Sequence, residues 1–278
     1  MERNIESNIA KALEREELFQ KKLRGDVLAG DVFMAVRKNR LDFYYKGGKV
    51  FTYDGEFRTH IKYASVYRLD EEKDYVSQKD LNRPKTCDFV EDYERIKENC
   101  ALHSGIEGEG VARVYSRYSY AKSISGARVL DIEVSFKSID EGRKQDRIDL
   151  LLLNNGILQF YEAKHFSNGE IWAKPGAKPK VVGQIARYHE QIKGHENHIV
   201  EQYRGYVKIV NKMFALNIEL PQAVDRHVPL LVFGFDRDQL RGRFKTLFEG
   251  NLKGLIKYYP IGDISKMQIN NLWSSCNS

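Results

Sequence analysis

The sequence contains little cysteine and no long apolar run, and both absences narrow its class. Its three cysteines are odd in number, far apart and include no CxxC pair: Cys87, Cys100 and Cys276. This spacing argues against a disulfide framework, a thiolate zinc site and a four-cysteine iron–sulfur cluster. No stretch is long and apolar enough to span a bilayer, and the charged segment MERNIESNIAKALEREELFQ lacks the apolar core of a signal peptide. We therefore expect a cytoplasmic protein without membrane association.

The residues that are present favour a folded chain with an anionic partner. Hydrophobic residues make up 42% of the 278 positions, which is enough to build a core. Lysine and arginine number 45 against 39 acidic residues, so the formal net charge is +6. A basic balance favours a polyanion such as nucleic acid, although many basic proteins bind none. Charge alone therefore does not assign a function.

The N-terminal part of the chain is predicted to be a helix followed by a β-meander. Apolar residues recur at helical spacing up to about Gly25. The segments DVFMAVR, RLDFYY and KVFTY follow, separated by turn residues at 47–48 and 54–55, and these segments predict the meander. Its aromatic side chains are suited to stacking on bases, but packing within the sheet is the favoured interpretation.

A polar segment at residues 82–85, with the sequence Asn-Arg-Pro-Lys, predicts a domain boundary near residue 88. We interpret residues 1–88 as a candidate module for binding substrate or a protein partner, including a second copy of the chain. Residues 89–278 then form the second domain.

This second domain is predicted to be of mixed α/β type. Helical spacing runs from about Val90 to Leu102 and through IEGEGVARVYSRYSY. VLDIEVSFK alternates strictly, as in a half-exposed strand, whereas RIDLLLL and ILQFYEAKH are apolar on both faces, as expected near the middle of a covered sheet. Two helices, the apolar strand VPLLVFGF, a further helix and a strand around IKYYPI complete the order. The predicted fold class is α/β, of the α+β kind with a mixed sheet.

Between the two apolar strands lies an Asn-Gly pair, Asn155 and Gly156, which is the strongest short signal for a two-residue type I′ hairpin turn. Such a turn fixes the register of the strands. Continued along both strands, the register predicts that Asp149 lies directly opposite Glu162. Lys164, two residues beyond Glu162, shares the same face of the sheet.

Two directly opposed carboxylates destabilise a sheet, so this pairing predicts a bound cation. Mg²⁺, or Mn²⁺ in its place, prefers oxygen ligands such as Asp149 and Glu162, and it activates water for phosphodiester hydrolysis. Lys164 is placed to orient that water or to stabilise the developing charge. The alternative is a catalytically silent sheet with a buried Glu162–Lys164 or Asp149–Arg147 ion pair.

These residues resemble a known family. Asp149, twelve intervening residues and then Glu162-Ala163-Lys164 are similar to the PD-(D/E)xK motif of restriction-endonuclease-like nucleases, with Ile148 where the motif has proline. The resemblance covers about residues 105–262 and implies an αβββαβ core, here preceded by the small helix and meander. It also implies metal ligation by Asp149, Glu162 and the Ala163 carbonyl, with Lys164 assisting the attacking water.

Two further elements fit the same family. Gln184 and Tyr188 are four apart on one helical face and resemble the QxxxY element of RecB-like nucleases, which implies a role in binding substrate. The family often adds a helical glutamate ahead of the first core strand, and Glu107 is the candidate for that catalytic position. A first-turn glutamate favoured by the helix dipole is the alternative interpretation of Glu107.

The segment AKPGAKPK places Lys174, Lys178 and Lys180 on a loop that is a candidate for contacting a phosphate backbone, or else is a solvated basic loop. Together these features predict a metal-dependent nuclease acting on DNA. A role in defence or repair is the expectation from class alone. The competing hypothesis is a nuclease-like fold that binds nucleic acid or a protein without cutting.

Overall fold

A computed structural model describes most of the chain, in the ranges 1–64, 74–81, 87–122, 126–136, 147–174 and 176–274. The predicted linker residues 82–85 and Cys276 lie outside these ranges. Contacts divide the chain into two units. The N-terminal unit comprises Glu2–Lys122 and Gly205–Ile218, and the C-terminal unit comprises Met1, Ser123–Arg204 and Glu219–Ser278.

The N-terminal helix is interrupted, in contrast to the single helix ending near Gly25 that the sequence predicted. Helix α1 (Ser7–Leu13) is followed by a π-helical segment, Phe19–Leu23, which continues into α2 (Arg24–Ala29). The helix ends at Gly30, whose φ of 82° is a left-handed cap that glycine adopts without strain. Glycine at position 25 lies within α2, because a helix tolerates one exposed glycine at modest cost.

The predicted meander is confirmed as an antiparallel five-stranded sheet. Its strands are β1 (Val32–Arg37), β2 (Arg40–Tyr45), β3 (Gly48–Tyr53), β4 (Phe57–His60) and β5 (Tyr75–Ser77). The aromatic side chains Phe43, Phe51 and Tyr53 are fully buried, and Phe57 is nearly so. Phe57 contacts the other three rings. Packing, and not base stacking, is therefore the role of these aromatics.

Three helices accompany this sheet: α3 (Ile61–Ala64), α4 (Tyr93–Leu102) and α5 (Ile106–Tyr118). Helix α4 packs on β2 and β3, and α5 packs on β1. Helices α4 and α5 therefore belong to the same unit as the meander. The boundary between the two units, as contacts define it, falls after Lys122. Whether residues 1–88 act as a separate binding module stays a prediction.

The C-terminal unit is built on a mixed sheet in the order β11-β10-β8-β7-β6, with β9 beside β8. Strands β6, β7 and β8 are antiparallel to their neighbours in this group, while β10 runs parallel to both β8 and β11. The strands are β6 (Arg128–Ser135), β7 (Arg147–Asn154), β8 (Ile157–His165), β9 (Ala223–Val224), β10 (Leu230–Phe233) and β11 (Tyr258–Gly262). A mixed α/β fold class is thus confirmed.

Helices α6 and α7 follow β8, as predicted. The remaining helices are α6 (Lys180–Lys193), α7 (Glu196–Phe214), α8 (Arg237–Arg241), α9 (Arg243–Thr246) and α10 (Ile269–Ser274). A π-helical segment, Leu247–Leu252, follows α9. Across the described ranges, no helix combines the length and the apolar character needed to cross a lipid bilayer.

The prediction of a half-exposed β6 is wrong at Asp131, which is completely buried. The strand carries a bulge between Val129 and Asp131, and the Asp131 carboxylate accepts a hydrogen bond of 2.8 Å from the hydroxyl of Tyr203 on α7. Helix α7 therefore covers part of the face that the alternation assigned to solvent. A buried carboxylate is tolerated here because hydrogen bonds satisfy it.

Candidate active site

The β7–β8 hairpin has the register that its turn predicts. Asn155 and Gly156 both have positive φ, 49° and 73°, as a type I′ turn requires. Strand pairing then runs without interruption from Asn154–Ile157 at the turn to Leu150–Tyr161. The turn therefore controls which side chains of β7 and β8 share a face.

Beyond Leu150 the two strands stop pairing, so the predicted direct pair of Asp149 and Glu162 is not part of the ladder. The next ladder bond would join the Ala163 N–H to β7 main chain. Instead, this N–H donates to Oδ2 of Asp149 at 2.7 Å. The Glu162 N–H points the other way and donates to the Pro229 carbonyl at 3.1 Å.

Asp149 lies at this gap in an unfavourable electrostatic environment. Burial and the neighbouring carboxylate of Glu162 raise the pKa of Asp149 well above its usual range, against the opposing effects of the Ala163 N–H and Lys164. Ionised Asp149 therefore requires compensating positive charge. A divalent cation between the two carboxylates would supply that charge.

Glu162 and Lys164 form a buried ion pair on the same face of β8. Glu162 is 1% exposed, and its Oε1 lies 2.9 Å from Nζ of Lys164. Lys164 Nζ also lies 3.1 Å from Oε2 of Glu170. The alternative of a catalytically silent sheet also predicted a buried Glu162–Lys164 ion pair. Its other ion pair joined Asp149 to Arg147, but the Arg147 guanidinium lies 2.9 Å from the Glu133 carboxylate instead. The ammonium is thus held by two carboxylates next to the gap.

Sequence reasoning missed Glu170. It lies in a one-turn 3₁₀ helix, Gly169–Ile171, whose N-terminus is capped by the Asn168 side chain. The Asn-Gly-Glu sequence indicates such a capped turn, but the turn's contact with Lys164 depends on how the chain folds back after β8. Glu170 is therefore a positioning residue for Lys164.

Gln184 and Tyr188 on α6 connect the gap to the first residue of β7. Nε2 of Gln184 donates to Oε1 of Glu162 at 3.0 Å and to the Tyr188 hydroxyl at 2.7 Å. The Tyr188 hydroxyl in turn donates to the carbonyl of Arg147 at 2.7 Å. Tyr188 is completely buried, which leaves it no direct contact with a substrate, and its hydroxyl contacts the Gln184 side chain instead. The structure brings the two residues to the candidate site, with Tyr188 as a positioning residue.

We expect Tyr188→Phe to raise the metal concentration needed for half-maximal activity about 10- to 100-fold, as is typical when a residue that orients a metal ligand is lost. The variant removes the hydroxyl that holds Gln184 against Glu162. Tyr206→Phe is the matched control, because Tyr206 is also buried and its hydroxyl also donates to a backbone carbonyl, that of Met34. A metal requirement that shifts equally in both variants would show a general loss of stability instead.

The remaining predicted site residues are not gathered at this gap by any described contact. Lys174, Lys178 and Lys180 are exposed on the loop before α6 and at its first residue. Glu107 lies in the first turn of α5, in the N-terminal unit. The roles proposed for these four residues stay predictions.

The donor set at the gap suits a hard divalent cation. It consists of the carboxylates of Asp149 and Glu162 and the main-chain carbonyl of Ala163. In a β-strand the N–H and C=O of one residue point to the same side, so the Ala163 carbonyl points toward Asp149, as its N–H does. In the ranges that the structure covers, no cluster of three or more His, Cys, Asp or Glu side chains could hold a metal ion. Two carboxylates and a carbonyl are nevertheless typical of magnesium, which keeps water ligands.

The site is thus defined by Asp149, Glu162 and Lys164, which meet where two buried strands separate. Gln184 and Glu170 orient the two charged groups of β8. Comparison of the chain with protein-family models, with curated proteins and with solved structures yields no match.

Proposed function

We propose that this protein is a Mg²⁺- or Mn²⁺-dependent nuclease that hydrolyses phosphodiester bonds in DNA. The observation that carries the proposal is the position of Asp149 and Glu162 at the gap between β7 and β8, with Lys164 beside them. A half-buried carboxylate beside a buried one raises the free energy of the folded chain, and an oxygen-binding cation together with a phosphate substrate would account for the pair.

The order of elements supports the restriction-endonuclease-like interpretation. The three antiparallel strands β6, β7 and β8 are followed by α6 and α7, and β10 then runs parallel to β8. This order, with a second helix and the short β9 before β10, supports the βββαβ part of the core that the motif resemblance implies. The two acids lie on the second and third strands of that order, and the Gln184–Tyr188 pair lies on the helix that follows.

In the proposed reaction, Asp149, Glu162 and the Ala163 carbonyl would hold the cation. When bound, it would polarise a phosphoryl oxygen and lower the pKa of a water molecule. The Lys164 ammonium orients the attacking water and stabilises negative charge that develops on the phosphoryl oxygens. The water oxygen bonds to phosphorus, the bond to one ester oxygen breaks, and the proton released from water is balanced by protonation of the leaving oxygen.

The test is incubation of the protein with plasmid, linear duplex and single-stranded DNA, and with RNA, in Mg²⁺, Mn²⁺ or EDTA. We expect cleavage of DNA in either cation and none in EDTA. Binding of DNA without cleavage on any substrate or in either cation would instead support the alternative of a nuclease-like binding protein. Cleavage that persists in EDTA would exclude the proposed chemistry.

A further inference from the structure

The C-terminal unit displays three exposed arginines on its last helices before β11. They are Arg237 and Arg241 on α8 and Arg243 on α9, and we call them the arginine surface. Helix α8 buries none of its side chains, and even Leu240 is 41% exposed. Short helices normally depend on an apolar face for stability, so core packing does not account for this one.

Helix α8 is held by its cap. The Asp236 carboxylate accepts from the Gln239 N–H at 2.7 Å, and the Gln239 side chain accepts from the Asp236 N–H at 2.9 Å. This capping box fixes the first turn. Arg237 and Arg241 are four residues apart, so they lie on one face, one turn from each other. The two arginine side chains therefore leave the helix on the same side.

Arg243 is oriented by a tryptophan. Its guanidinium lies over the Trp172 ring, 4.5 Å from the ring centroid. Trp172 is itself fixed, because its indole N–H donates to the Phe166 carbonyl at 2.9 Å. A guanidinium stacked on an aromatic ring keeps its N–H groups in the plane, where they suit two oxygens of a phosphate.

The charge of this region is not neutralised locally. Residues 236–246 contain four cationic residues and two aspartates, and Asp236 is already engaged in the cap. Among the residues with described positions, no carboxylate forms an ion pair with Arg237, Arg241 or Arg243. Arg226 and Arg147 in the same unit do form such pairs, with Glu196 and Glu133. The arginine surface therefore keeps its positive charge for a ligand.

Short contacts connect this surface to the candidate site. Glu170, which contacts Lys164 at 3.1 Å, precedes Trp172 by two residues. Trp172 contacts Arg243, and the same loop continues through Lys174 and Lys178. One segment of chain thus touches both the ammonium at the gap and the arginine surface.

We infer that the arginine surface binds the phosphodiester backbone of the nucleic acid that enters the candidate site. This inference rests on the proposed function for the identity of the polyanion, and its test therefore measures binding in the absence of cleavage. Backbone contacts by guanidinium groups hold the nucleic acid in place without reading its sequence. We therefore expect the arginine surface to bind nucleic acids of different nucleotide sequence with similar affinity.

The experiment is a titration of labelled duplex and single-stranded DNA, and of RNA, with the full chain in EDTA at several salt concentrations. The test variant is Arg237→Gln/Arg241→Gln/Arg243→Gln. Its matched control is Lys11→Gln/Arg15→Gln/Lys193→Gln, which removes the same charge from exposed positions elsewhere. For the test variant we expect affinity to fall roughly a hundredfold at moderate salt. The slope of log K against log salt, which is negative, should become shallower by about 2 to 3.

Equal effects of the two triple variants would overturn the inference, because they would show that only total charge matters. Unchanged affinity of the arginine variant would overturn it too, and would leave the nuclease proposal standing if the wild type cleaves DNA. Binding of anionic phosphatidylserine vesicles, without binding of any nucleic acid, would assign the surface to a membrane instead. If the wild type binds nucleic acid through the arginine surface but never cleaves it, the proposed nuclease activity is refuted and the inference about the arginine surface stands.

The single variant Arg243→Lys separates orientation from charge. Lysine keeps the positive charge but loses the planar stack on Trp172. We expect weaker binding of duplex DNA with an unchanged salt slope. Wild-type affinity in this variant would contradict the role given to the Trp172–Arg243 contact. Circular dichroism and thermal unfolding of every variant would establish that the folded state is retained.

Discussion

A Glu162→Gln variant is expected to cleave DNA on the order of 10² to 10³ times more slowly than the wild type at the same Mg²⁺ concentration, which is the usual cost of removing one preorganised electrostatic group. Glu162 is 1% exposed and touches both Lys164 and Gln184. Glutamine preserves the shape of the side chain and one carbonyl oxygen. It removes the charge that would attract the proposed cation and that holds the Lys164 ammonium.

Lys164→Ala is expected to lose activity to a similar extent for a different reason. The ammonium is absent, but both carboxylates remain, so divalent cations still bind. The two variants are therefore distinguished by metal binding, which calorimetry measures directly. Glu201→Gln is the matched control, because it removes an exposed carboxylate from α7 in the same unit. Full activity in Glu162→Gln would place the chemistry elsewhere in the chain.

Asp149→Asn is expected to stabilise the metal-free protein at neutral pH while removing its response to metal. The folded-state pKa of Asp149 is raised, so the metal-free wild type loses stability as pH rises through that pKa and the carboxylate ionises beside Glu162. Asparagine still accepts the Ala163 N–H and carries no charge. A gain of about 1 kcal/mol corresponds to a rise of roughly 2 to 4 °C in Tm for a chain of this size.

The same variant should lose the stabilisation that metal gives to the wild type. A cation at a hundred times its Kd stabilises the folded state by about 2.7 kcal/mol. Thermal unfolding with and without Mn²⁺ measures both effects, with the exposed Asp238→Asn as control. If Asp149→Asn lowers Tm in EDTA, the carboxylate contributes to folding and the electrostatic account of this site is wrong.

The hairpin and its acids could be predicted because their cause is local. Asn155 and Gly156 adopt positive φ where few other residues do, and two turn residues determine the pairing up to Leu150 and Tyr161. The separation of the strands beyond that pair could not be predicted in the same way. There the Asp149 side chain accepts the Ala163 N–H in place of a main-chain carbonyl, and the turn residues do not specify this exchange.

Long-range packing explains the other differences. Alternation in β6 predicted a solvent-facing Asp131, but the burial of this residue depends on α7 and on Tyr203. The contact of Glu170 with Lys164 likewise depends on a turn that folds back after β8. In the N-terminal unit, α4 and α5 pack on the meander although their sequence gave no sign of that partner. Local sequence patterns predict helices, strands and hairpin registers. Whether one face of a strand or helix is buried depends on elements that lie far away in the sequence.

The short connection between the two acidic strands has a consequence for how the protein folds. Asp149 and Glu162 are brought together by closing a two-residue turn, which is among the least costly loops to close. Contacts of such low sequence separation cost the least loop-closure entropy, so we expect the hairpin to form before β10 and α6 add their long-range contacts. We therefore expect the two carboxylates to meet before Gln184 reaches them. A divalent cation that binds the nascent hairpin would relieve their repulsion during folding as well as in the native state.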